Sequence, residues 1–104
     1  MSPENDQIRL ILTGTQIGAD VTFTENGKIV WSSIGVQLHD GKFKVYMDEI
    51  QEDQMAAEEY RREQGLSFTS VSDALEWIRQ NTRFDPVELH PRKGQKRFNP
   101  AFVE

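Results

Sequence analysis

The chain has no cysteine, which excludes disulfides and thiolate metal centres and makes a reducing compartment the simplest setting. No apolar run approaches the ~18 residues of a membrane span. The opening stretch Met1-Ser2-Pro3-Glu4-Asn5-Asp6 lacks the basic-then-apolar layout of a secretory signal. These absences predict a soluble, cytoplasmic protein that does not engage a membrane. Histidine is confined to His39 and His90, without HxxxH or HExxH spacing, so no metal site is expected. Catalytic signatures are missing too: there is no Gly-x-Ser-x-Gly, phosphate loop or dinucleotide fingerprint. Gly14-Thr15-Gln16-Ile17-Gly18 reads as a strand connection, without the helix N-terminus that would gather backbone donors around a phosphate. Neither a cofactor nor an enzymatic activity is expected.

What the chain does contain is hairpin chemistry. Its 104 residues are the size of one small domain, able to bury roughly two-thirds of the unfolded surface. Asp40-Gly41 lies between alternating apolar positions, and a two-residue type I′ turn needs φ > 0 at both central residues. Counting outward pairs Leu38 with Phe43, Val36 with Val45 and Ile34 with Met47 on one face. His39, Lys42, Gln37, Lys44 and Tyr46 fall on the other, with Tyr46 across from Gly35. A slip of one residue would scatter this sorting. Asn26-Gly27 predicts a second type I′ turn pairing Phe23 with Val30, which keeps Val30, Ser32, Ile34, Val36 and Leu38 on one face. Ile8, Leu10 and Leu12 alternate and read as a first strand, with Leu12 set opposite Ile17.

The predicted fold class is therefore α+β. It has a four-stranded antiparallel meander (about 7–12, 17–25, 28–39 and 42–48), two C-terminal helices on one face and an irregular C-terminal extension. The first helix is expected over 52–64, rich in helix formers, with only Met55, Ala56, Ala57 and Tyr60 able to face inward and Gly65 as its stop. The second is expected over 71–81. There Ser70 caps, Val71, Ala74, Leu75 and Ile78 recur at helical spacing, and Trp77 lies on the flank. Residues 1–6 read as disordered and 7–83 as one domain. Residues 84–104 read as a basic extension broken by Pro86, Pro91 and Pro100, yet too rich in apolar groups to be undocked. Val87, Leu89, Phe98 and Phe102 are its docking candidates. In topology alone, a strand meander followed by a helix resembles single-stranded DNA-binding domains of the Whirly type, with no motif shared.

Charge is unevenly spread. Residues 48–63 carry seven acids against Arg61 and Arg62, a local −5, and 83–97 carry five bases against Asp85 and Glu88, a local +3. A solvated face explains the acids without any acid–base chemistry. The outer face of the meander is the more informative feature, because it leaves Ile29, Trp31 and Tyr46 on the side the helices do not cover, with Ile11 beside them. An apolar surface of that kind marks packing against something: the chain's own tail first, through Val87, Leu89, Phe98 or Phe102, then a protein partner or second copy, then a stacked base. The leading expectation is a non-catalytic interaction or regulatory module. It would hold a protein partner or a second copy through Ile29, Trp31, Tyr46, the acidic helix expected over 52–64 or the tail. The alternative is single-stranded nucleic-acid binding, with Arg92, Lys93, Lys96 and Arg97 tracking phosphates and Phe98 stacking a base.

Overall fold

The computed structural model describes residues 4–92 and 97–102. An antiparallel sheet in the order β4-β3-β2-β1-β5 is built from β1 (Ile17–Glu25), β2 (Lys28–His39), β3 (Lys42–Gln51), β4 (Tyr60–Phe68) and β5 (His90–Pro91). Helices α1 (Asn5–Leu12) and α2 (Val71–Asn81) supply the apolar cover of one face. Both turns are of the expected type: Asn26 and Gly27 have φ 51° and 76°, Asp40 and Gly41 have φ 53° and 76°. Their registers match the sequence, pairing Phe23 with Val30 and Val36 with Val45.

The core lies between the inner sheet face and the helices. Ile17, Ile34, Val36, Val45 and Met47 are fully or almost fully buried against Ile11, Ala74, Leu75 and Ile78. Helix α2 starts where expected, with the Ser70 hydroxyl accepting from the Asp73 amide at 3.1 Å. Phe84 and Leu89 also enter this core, drawn in by a 3₁₀ turn at Pro86–Glu88 that Asp85 and Glu88 cap reciprocally.

Two expected elements are different. Residues 7–12 form helix α1, not a strand, so the pairing of Leu12 with Ile17 does not exist. Six residues of apolar alternation fit either period, and the tertiary position decides: Ile11, expected on the outer face, is buried in the core, while Leu12 is exposed. Residues 52–64 are not a helix. They form a short 3₁₀ turn at Glu52–Gln54, a reversal in which Glu58 takes φ 53°, and the start of β4. Helix propensity over this stretch is worth only tenths of a kcal/mol per residue. It yields to pairing with β3, which brings Leu66 opposite Val45 and Phe68 opposite Phe43. Met55, Ala56, Ala57 and Tyr60 are accordingly exposed rather than inward-facing. The sheet thus has five strands, and one helix lies before it in the chain.

Candidate functional site

The registers lay out the outer face in rows. Gly18, Gly35, Tyr46 and Gly65 form one row across β1 to β4. Asp20, Ser33, Asp48 and Glu63 form the next, followed by Thr22, Trp31, Ile50 and Tyr60. A bulge between Glu49 and Ile50 gives β4 one extra residue there and brings Tyr60 onto the same side as Trp31.

The glycine row is a trough, and the tail lies in it. A Cβ on Gly35 would meet the Phe98 ring at 2.8 Å, and one on Gly65 would meet the Phe102 ring at 2.7 Å. Over Gly18 lies the stem of Arg97, at 2.6 Å from such an atom. Phe98 stacks on Tyr46 with ring centroids 5.8 Å apart, and Phe102 tilts against both. Polar contacts fix the arrangement. The Gln16 side chain accepts from the Arg97 amide at 2.8 Å and donates to the Phe98 carbonyl at 3.0 Å. Lys44 donates to the Phe102 carbonyl at 3.0 Å, with its ammonium 4.8 Å from the ring centroid. The Arg97 guanidinium pairs with Asp20 at 3.1 Å.

Between this tail and β3–β4 lies a cavity of about 290 Å³ lined by Tyr46, Asp48, Tyr60, Phe98, Asn99 and Phe102, with Arg97 at its edge. Asp48 is half-buried within it. Burial pushes its carboxyl up to about 6, helped by the neighbouring charges of Glu63, Asp20 and Glu49. The Tyr46 hydroxyl is raised first by burial and then by its hydrogen bond to Glu63. Beyond the cavity the outer face is bare: Ile29 is 44% and Trp31 41% exposed, and Tyr60, which also lines the cavity, is 43% exposed, all flanking the buried Ile50.

On the inner face, past the helical cover, Glu49 is buried and accepts from Ser32 at 3.0 Å and Arg83 at 2.9 Å. Burial alone would raise its pKa, but the hydrogen bonds from Arg83 and Ser32 hold it below the ordinary range. A larger cavity of about 380 Å³ opens here, along β1. Its guanidinium, on Arg83, is already matched to Glu49 and stacked on Phe23 at 3.8 Å, so this region reads as structural.

The expected binding residues therefore divide. Ile29 and Trp31 are open. Tyr46, Arg97 and Phe98 are engaged inside the chain, where the tail itself fills the trough and Phe98 docks on its own sheet. Arg92 is exposed, and Lys93 and Lys96 lie outside the described residues. Of the docking candidates, Phe98 and Phe102 lie on the outer face, Leu89 is in the core on the opposite side and Val87 is exposed. Sequence reading missed Asp48, Tyr60 and Phe102 as neighbours. The same-side placement of Gly18, Gly35 and Tyr46 was legible from the hairpin registers, but Gly65 could join them only once β4 was a strand. No group of acidic or histidine side chains among the described residues is arranged to hold a metal ion.

No protein-family model, curated protein or solved structure matches this chain. The site's own chemistry is the basis for a functional reading.

Proposed function

We propose that this protein is a non-catalytic interaction module that holds a protein partner on the uncovered part of its outer sheet face, centred on Trp31. The observation that carries the reading is the contiguous apolar surface of Ile29, Trp31 and Tyr60 around Ile50, left bare where the tail stops. Fully desolvating a tryptophan and an isoleucine at the centre of an interface supplies several kcal/mol, the usual scale of a binding hot spot. The flanking row of Asp20, Asp48 and Glu63 selects the partner's chemistry: an apolar segment bordered by lysine or arginine. That same row disfavours the nucleic-acid reading, because it would repel phosphates, and Arg97, expected to meet them, is paired with Asp20.

The test uses intact protein, Trp31→Ala and Ile29→Ser as bait in extracts of the source cell, followed by titration of the captured protein in purified form. Saturable binding that weakens at least tenfold in Trp31→Ala, with the fold unchanged by circular dichroism, supports the reading. Equal binding by all three baits overturns it.

A further inference from the structure

The cavity beside Asp48 has walls and a floor of a definite kind. Tyr46, Phe98 and Phe102 form an aromatic cluster on one side, with centroids 5.8–6.4 Å apart. Tyr60 stands on the other side, from β4. Aromatic faces carry partial negative charge and attract cations, most strongly where water is partly excluded. The charges around Asp48 point the same way. From β1 comes Asp20, from β4 Glu63, from the tail Arg97, and Glu49 lies beneath on the opposite face of β3. In this row three carboxylates stand against one guanidinium, which is bound to Asp20 at 3.1 Å; the Lys44 ammonium, also on the outer face, donates to the Phe102 carbonyl and lies 4.8 Å from that ring's centroid. The Arg97 Nε lies over Gly18, 2.9 Å from where a Cβ would be, and is buried without a hydrogen-bond partner among the described residues. Among the described residues, no cation pairs with Asp48.

We propose that this cavity is a cation-binding pocket for the ammonium group of a lysine side chain, plain or methylated, presented by the partner that docks beside Trp31. The Asp48 carboxylate meets the charge, and Tyr46, Tyr60, Phe98 and Phe102 enclose the methylene stem and any methyl groups. This inference rests on reading the outer face as a partner-binding surface. It adds that the partner's key charged residue is a lysine, one strand row away from its apolar contact with Trp31. The tail then acts as part of the receptor, because Phe98 and Phe102 supply half of the aromatic wall.

The full-length protein titrated with Nα-acetyl-lysine methylamide, its trimethylated form and the uncharged norleucine analogue, followed by NMR chemical shifts, decides the matter. Saturable shifts at Tyr46, Asp48 and Tyr60 are expected for both ammonium compounds, with dissociation constants on the order of 1 mM, and none for norleucine. Asp48→Asn preserves shape and removes the charge, and weakens binding about tenfold. Lowering the pH from 7.5 to 5 has a comparable effect in the parent and none in Asp48→Asn. No saturable shift from either ammonium compound, equal shifts from norleucine, or unchanged affinity in Asp48→Asn would each overturn the pocket assignment. Trp31→Ala separates the two levels: it should abolish capture of the partner while leaving the lysine analogues bound. A partner held through Trp31 with no response to the analogues leaves the docking surface intact and removes the pocket alone.

Discussion

Two neighbouring carboxylates on β3 point to opposite faces and respond oppositely to protons. Asp48 has its folded pKa raised to about 6, above its unfolded value, so its favourable contribution is complete at low pH and is lost as pH rises through about 6. Glu49 has its folded pKa lowered, so its contribution is present at neutral pH and is lost as pH falls below the ordinary glutamate range. Asp48→Asn should therefore match the parent in stability near pH 4 and exceed it by about 1 kcal/mol above pH 7, a figure reduced for the water that screens a half-exposed group. Urea unfolding at both pH values checks this. For Glu49, removing its main partner with Arg83→Met keeps contact with Phe23 but leaves a buried charge on Ser32 and a distant Arg61, 3.9 Å away. The expected loss is about 2 kcal/mol, below the cost for fully buried pairs because Arg83 is half-exposed. At the glycines, Gly18→Ala should be worse than Gly35→Ala. The new methyl at residue 18 falls on the backbone carbonyl of Ile34, whereas at residue 35 it meets the edge of the Phe98 ring, and thermal melts of the pair should rank them so.

The element that changes the meaning of the outer face is the tail. Residues 97–102 cross four strands through a trough that exists because glycine stands at the same height on β1, β2 and β4. Two phenylalanines and a buried Pro100 are withdrawn from water there, each phenylalanine worth roughly 1.5–3 kcal/mol. Truncation after Arg92 should lower stability by roughly 3 kcal/mol or more and expose enough apolar surface to bind a hydrophobic dye. Phe98→Ala should account for most of that loss, since Phe98 alone touches both Gly35 and Tyr46. If the truncated protein melts with the parent, the trough contributes nothing. The exchange of an expected helix for β4 belongs at this scale as well. Residues 52–64 favour a helix locally, but no helix there could have provided a partner for the free edge of β3 or a seat for Phe102.

For the whole molecule, the acidic and basic ends of the charge distribution meet each other in part. Arg83 serves Glu49 on the inner face, Arg97 serves Asp20 on the outer one, and Arg79 ties α2 to Glu4 at 2.6 Å. Beside Trp31, the outer-face charges left outside these ion pairs are those of Asp48 and Glu63, and Lys42 and Lys44 lie at the other end of β3, near its turn. Single-stranded oligonucleotides are therefore expected to show no retardation even at low salt, whereas peptides combining lysine with an apolar residue should bind and weaken as salt rises. A strong salt-sensitive shift with oligonucleotides would reverse the order of the two readings.

The hairpin turns, the registers they impose and the capped helix α2 were legible because each is a local event. Asn-Gly and Asp-Gly select one turn geometry, a turn sets the parity of both flanking strands, and Ser70 with its apolar spacing marks a helix start without help from elsewhere. That parity sent Trp31 and Ile29 away from the core. Where local signals tie, as for Ile8 to Leu12, or run against tertiary pairing, as for 52–64, only the assembled sheet could choose, because burial of a whole face outweighs propensities of a few tenths of a kcal/mol per residue. The seat of the tail is of the same kind. A glycine in a sequence says only that a side chain is missing; which ring fills the space depends on strands and segments up to eighty residues apart being brought together.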